Sequence, residues 1–356
     1  MRVPILKLRG DNFTDPSRTP WGGDRLAAWK RSLGIDARAP LGESWEVSFG
    51  PELPSFVEGT GRPLASFVQD DLLGYLGDEA ALGTSCLLVK LLDARTPLSV
   101  QIHPSDHDAL RDGESGKPEC WYIAAADPGA SVLFGLSDDA SPARMADALA
   151  GGHDVSSLLT RVPVVAGDFF VVPPGTPHAI GGGVTVVEPQ HVAPKKRGVT
   201  YRYWDWNRRY DASGALHAEG LPRALHIDDA LRVTEWDEAR GARLATQAKT
   251  RLPPPEPTSA LQLSPLAGKD GLPFVVEVLR LSGSGSLVLP LATVGRSITV
   301  IDGELLAHAE GITERARRGE SLFVAATARV TLEAAGVVAL IASTPVSSTP
   351  ELRRRA

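Results

Sequence analysis

Short apolar runs broken by Gly and Pro account for most of the chain, and only a few stretches carry a helical period. Val3–Leu8 opens as a strand. Residues 41–48 alternate, and Cys86–Leu92 is an almost continuous apolar run that predicts a buried strand. In Pro97–Asp106 the alternation places Ser99, Gln101 and His103 on one face and Val100 and Ile102 on the other. Lys117–Ala124 predicts a further strand. Val162–Ile180 reads as strand, Gly-Asp turn, strand, Pro-Gly turn and a new strand headed by His178, and Val184–Val187 adds another. Helical spacing is confined to Leu26–Leu33, Pro63–Leu76 and residues 141–160.

Beyond a Pro-rich segment the strand pattern resumes. Phe274–Leu281, Leu287–Leu289, Ser297–Ile301, Ser321–Ala325, Arg329–Leu332 and Val337–Ile341 are β-branched runs parted by turns such as Asp302-Gly303. The expected organisation is a first domain over 1–250, a linker over 251–271 and a second β domain over 272–356. The fold class is mainly β, two jelly-roll barrels with a few short helices.

Composition narrows the function classes. The 356 residues carry a net charge of −6, which disfavours a generic nucleic-acid or acidic-membrane surface. Two cysteines, Cys86 and Cys120, make neither a disulfide framework nor a thiolate zinc site, and a cytoplasmic setting is expected. The N-terminus does not read as a signal peptide, and no run approaches the roughly 20 apolar residues of a membrane span.

The candidate chemistry lies at strand ends. Gln101, His103, Glu119 and His178 come from three separate strands and form an N/O donor set that suits zinc, with iron, manganese or cobalt as alternatives. Lys90 sits inside a buried run and needs a partner or a task. Lys117 shares a face with Glu119. Near a dication and partly desolvated, it is expected to have a lowered proton affinity and to serve as acid/base. Lys195, Lys196, Arg197 and Arg202 cluster among aromatics, a pattern suited to an anion. Glu43 and Glu46 are candidate polar groups at a pocket.

These pieces resemble, in order, a known family. Trp21-Gly22-Gly23, Glu43-Ser44-Trp45-Glu46-Val47-Ser48, Pro97-Leu98-Ser99-Val100-Gln101-Ile102-His103-Pro104 and Lys117-Pro118-Glu119 are followed by Gly167-Asp168-Phe169-Phe170, Gly175-Thr176-Pro177-His178-Ala179-Ile180 and Val199-Thr200-Tyr201-Arg202. The series is similar to the type I mannose-6-phosphate isomerases, zinc-dependent members of the cupin superfamily, in a short bacterial-type form. The resemblance implies two cupin-type barrels and one Zn²⁺ per chain on Gln101, His103, Glu119 and His178. It implies interconversion of mannose 6-phosphate and fructose 6-phosphate through an enediol. Lys117 and Arg202 would be the catalytic residues, and Ser99, Lys90, Glu46, Lys195 and Lys196 would bind substrate.

One departure stands out. Where the family carries a short acidic turn, this chain reads Pro189-Gln190-His191-Val192-Ala193-Pro194-Lys195-Lys196-Arg197-Gly198, longer, basic and without a carboxylate. Either that acid is dispensable, or His191 or Glu46 replaces it, or the substrate differs. The alternatives are a related cupin isomerase for another sugar phosphate and a non-catalytic regulatory cupin that binds one. The expected partner is a small hexose phosphate, with no nucleic acid and no membrane, and the expected state is a monomer or weak homodimer.

Overall fold

In the computed structural model, which describes residues 2–108, 110–237, 240–253, 262–267 and 272–345, strands dominate and helices are short. The mainly β expectation is borne out. Two sheets form the first domain. A six-stranded sheet runs in the order Lys249–Arg251, Asp168–Val172, Glu119–Ala126, Val184–His191, Leu87–Ala94, Glu43–Val47. A five-stranded sheet runs Tyr201–Trp204, Val100–Ile102, His178–Ala179, Ser131–Leu136, Leu159–Pro163. Both remain open: among the described residues no pairing closes either into a complete barrel.

Alternation decides what lies between the sheets. Leu92, Ala94, Trp121, Ile123, Val184 and Val186 meet Val132, Phe134, Val162 and Ile180 in one apolar cluster. The opposite parity of the six-stranded sheet, including Val89, Leu91, Cys120, Tyr122 and Val187, packs on the C-terminal sheet. On the outer face of the other sheet, Val100 and Ile102 lie under the helices Pro142–Ala150 and Ile227–Val233 through Met145, Leu149, Ala230 and Val233. The helix Pro142–Ala150 starts where its residues dictate. Ser141 accepts a hydrogen bond from the Arg144 amide, and Pro142 occupies the first turn.

The C-terminal sheet has eight strands, and its edge is Ile5–Lys7 from the chain's beginning, antiparallel to Ser321–Val324. The expected 1–250 unit is therefore not self-contained. The expected linker also differs. Lys249–Arg251 pairs with Asp168–Val172, and Gln262–Ala267 is a strand on Val275–Val288, half-buried at Leu263 and Leu266. Residues 254–261 and 268–271 of that linker, and 346–356 of the tail, lie outside the described residues. Two pairs of short runs expected in the tail fuse into long strands, Val275–Val288 and Thr331–Ser343. A register shift between Leu281 and Ser284 absorbs the Gly/Ser stretch that looked like a break.

The interval read as one helix, Pro63–Leu76, is three short turns: Leu64–Phe67, Val68–Asp71 and Leu72–Leu76. Asp71 caps the last of these through the Gly74 amide instead of continuing the first. No described helix is long and apolar enough to cross a membrane.

Candidate active site

At one end of the sandwich the interior rows change from apolar to polar. Leu92 is followed by Lys90, Trp121 by Glu119, and Val186 by Glu188 and Gln190, all on the inward parity of adjacent strands. The ladder register sets Glu188 opposite Lys90 and Gln190 opposite Glu119. This polar end opens into a cavity of about 1030 Å³. Its wall includes Glu43, Lys90, Ser99, Gln101, Lys117, Glu188, Gln190, Lys195, Lys196, Arg202 and Arg223.

His103, Glu119 and His178 come together with ligand atoms all within 4.8 Å of one another. Gln101 is the direct ladder partner of His178 and lines the cavity. The turn before His178 is tied to this strand: the Gly175 amide donates to the His103 carbonyl at 2.8 Å. Gly175 has φ +81°, and a β-carbon there would press on Glu235 and the Val233 carbonyl.

Each imidazole is oriented from behind. His103 Nδ1 donates to the Val199 carbonyl at 2.9 Å and His178 Nδ1 to the Thr176 carbonyl at 2.8 Å. Both Nε2 atoms therefore face inward, 3.1 and 3.4 Å from the Glu119 oxygens, buried and without a hydrogen bond. Burial lowers the proton affinity of both rings, that of His178 to about 3. Burial opposes ionisation of Glu119, but the Lys117 charge holds its acid well below the ordinary range. Two neutral imidazoles with orphaned lone pairs beside an ionised carboxylate suit a divalent cation. These residues fit a metal.

Lys117 donates to Glu119 Oε2 at 2.7 Å. Its aliphatic stem crosses Gly198, where a β-carbon would stand 2.9 Å from Lys117 Cγ. Lys90 pairs with Glu43 at 3.0 Å and lies 4.6 Å from the Trp45 ring centre. Ser99 accepts from Arg202 Nε at 3.2 Å. Lys195 and Lys196 are exposed on the rim. Glu46 is placed elsewhere. It points from the other face of its strand into the interface with the C-terminal sheet, where Lys30, Ser44 and Ser321 bind its carboxylate. The expectation that Glu46 serves the pocket is corrected, and Glu43 takes that place. Nor does His191 line the cavity.

The carboxylate absent from 189–198 stands one residue earlier. Glu188 is buried, and burial together with the Glu119 charge pushes its acid up to about 8. The sequence reading ended the strand at Val187. It runs to His191, and a charge on the inward parity of an apolar strand was the available signal. Arg223 was also missed. It binds Asp205 through two 2.7 Å hydrogen bonds, and Arg208 binds the same carboxylate. Arg208 and Arg223 thus share one buried carboxylate, and Arg202, bonded to Ser99 and the Ala224 carbonyl, has no carboxylate partner among the described residues, which leaves the wall with surplus positive charge.

Residues 18–128 match the family model for the phosphomannose isomerase type I catalytic domain. The resemblance read from the sequence is borne out. The chain is 39% identical over 223 residues to a mannose-6-phosphate isomerase of Streptococcus mutans, covering 60% of this chain and 63% of that protein. It is equally identical, over the same length, to mannose-6-phosphate isomerase ManA of Bacillus subtilis, covering 60% of this chain and 64% of that protein. The matched region thus spans under two-thirds of these relatives.

Solved structures extend the likeness in fold to nearly the full length. The mannose 6-phosphate isomerase of Bacillus subtilis superposes with TM-score 0.72 at 25% identity, covering 96% of this chain and 99% of that one. A mannose 6-phosphate isomerase bound with zinc and yttrium has TM-score 0.66 at 15% identity, covering 97% and 100%, and shares the fold.

Proposed function

We propose that the chain is a zinc-dependent aldose–ketose isomerase that interconverts mannose 6-phosphate and fructose 6-phosphate through an enediol. The observation that carries this reading is a His103–Glu119–His178 cluster joined, through Lys117 and Gln190, to a cavity lined by the buried Glu188 carboxyl and a cationic wall. The relatives' activity and the zinc in one structural neighbour agree with it.

His103, Glu119 and His178, with Gln101, would hold the metal, which when bound supplies a Lewis acid for the developing oxyanion. The protein's own groups do the rest. Arg202 and Arg223 take the phosphate dianion, matching its charge to the surplus on that wall. The sugar then extends toward Glu188. The Glu188 carboxylate removes the C2 proton of the aldose and, as the acid, returns it to C1 of the enediol, while the proton of the 2-hydroxyl passes to O1. Its raised proton affinity suits both steps near neutral pH. Lys117, held by Glu119, places a positive charge beside the reacting oxygens. Lys90 is neutralised by Glu43 and holds the rim of the site.

Buried, unpaired Cys86 and Cys120 agree with a cytoplasmic location. A monomer or weak homodimer is the expected state.

A coupled assay for fructose 6-phosphate, run on the protein as purified, after chelation and after zinc is returned, tests the reading. Activity lost on chelation and restored by zinc is expected. A zinc-loaded protein that turns over no mannose 6-phosphate would sink it.

A further inference from the structure

Glu119 and Glu188 face each other from adjacent strands, both buried, and two N–H groups bridge them from opposite sides. Trp121 Nε1 donates to Glu119 Oε1 at 3.2 Å and to Glu188 Oε1 at 3.1 Å. Gln190 Nε2 donates to Glu119 Oε2 at 2.9 Å and to Glu188 Oε2 at 2.6 Å. Each carboxyl thus has one oxygen on the indole and the other on the amide. The indole is held by its ring neighbours: His178 at 5.2 Å, and Phe134 and Phe170 at 6.1 Å between centroids. Gln190 is the side chain that completes the bracket.

We propose that Gln190 is a positioning residue: its carboxamide fixes the Glu188 carboxyl relative to Glu119, and so relative to the metal cluster and the reacting carbons. The assignment of a role to Glu188 rests on the isomerase reading; the hold on Glu119 does not. Gln190 is fully buried, and its Oε1 has no hydrogen-bond partner among the described residues. Leaving a buried acceptor unpaired is unfavourable. The reversed amide would be worse, because Oε1 would then stand 2.6 and 2.9 Å from carboxyl oxygens. A glutamine retained only for packing has no reason to carry an orphaned acceptor. One retained for its two donors does, since both are spent on the carboxyls.

The geometry also explains why no shorter or apolar side chain serves. The two carboxyls belong to strands held in register by the Gln190–Glu119 ladder pair, so their spacing is set by the sheet. The freedom that remains is in the side-chain torsions, which set where each carboxyl ends. Without the amide Glu188 keeps only the Trp121 donor and can turn, while Glu119, still held by Trp121 and Lys117, loses its amide tie to Glu188, so the ligand oxygen and the proton carrier are no longer fixed to each other.

The test uses Gln190→Met, close in volume and without donors, in the full-length protein. Zinc affinity is measured by competition with a chromophoric chelator, and kinetics with mannose 6-phosphate. Zinc binding weakened, and kcat reduced, by about 10–100-fold with KM nearly unchanged is the expected result. In a Glu188→Gln background the same substitution should reduce kcat by less than threefold, a coupling that loss of packing alone would not produce. If Gln190→Met does not fold, Trp121→Phe removes the other donor, together with part of the buried indole, and should shift zinc affinity and kcat in the same direction.

Unchanged zinc affinity and kcat overturn the proposal, as does a kcat loss that is undiminished without Glu188. Should the wild type prove inactive toward mannose 6-phosphate, the isomerase reading falls. The zinc titration alone then decides whether Gln190 holds Glu119.

Discussion

Lys30 Nζ lies 2.6 Å from Glu46 Oε1 where neither side chain reaches solvent, and the same ammonium donates to the Gly319 carbonyl of the C-terminal sheet at 2.7 Å. Ser321 donates to the other Glu46 oxygen. The pair fastens the helix Arg25–Ser32 and the strand Glu43–Val47 to the second domain. Removing one partner leaves a buried charge. Lys30→Met should therefore destabilise the protein by about 3–5 kcal/mol, measured by denaturant unfolding. Activity per folded molecule should be unchanged, because Glu46 stands outside the cavity.

Glu188→Gln keeps the shape of the site and removes the proton carrier. We expect kcat to fall by about 10²–10⁴-fold with KM changed little, read in the coupled assay. A loss confined to KM would instead make Glu188 a binding residue.

Arg202 and Arg223 carry the surplus charge, whereas Lys195 and Lys196 are solvated. Replacing either arginine by Met should raise KM by about 10–100-fold, the range for a hydrogen bond to a charged group. Lys195→Ala and Lys196→Ala should change it by less than threefold, as expected for exposed charges. Steady-state KM values for the four variants decide the matter.

Glu79 gives the protein a pH-dependent stability. It is fully buried, accepts from the Cys86 amide at 2.9 Å and from Thr344 Oγ1 at 2.6 Å, and burial raises its acid above the ordinary 4.5. The folded state therefore holds this proton more tightly than the unfolded chain. That contribution is complete below pH 4.5 and is lost as pH rises through the folded value. Glu79→Gln does not titrate, so its melting temperature relative to the wild type should climb as pH goes from 4 to 8. A constant difference would show that Glu79 does not titrate in this range.

Much of the site was legible one strand at a time. The alternation in Pro97–Asp106 put Ser99, Gln101 and His103 on the inward face, and Lys117 and Glu119 shared a face as spaced. Glu188 and Arg223 were not legible. A carboxyl after Val187 reads as the polar end of a strand until the partner strand shows that its neighbours are Lys90 and Glu119. Arg223 is one basic residue among many until Asp205 is seen to be shared.

By itself, the sequence determined the local terms: strand and turn periodicity, the mainly β class, the donor set at strand ends, and the mismatch between a basic 189–198 segment and an acidic turn. These depend on residues near one another along the chain. Tertiary structure decided the rest: that Ile5–Lys7 belongs to the C-terminal sheet, that Glu46 faces the domain interface while Glu43 faces the cavity, and that Gln190 and Trp121 bracket two carboxyls. The reason is register. A side chain's face follows from its parity within a strand, but what it meets depends on which strand lies alongside and at what offset, and that is set only when the sheets pack.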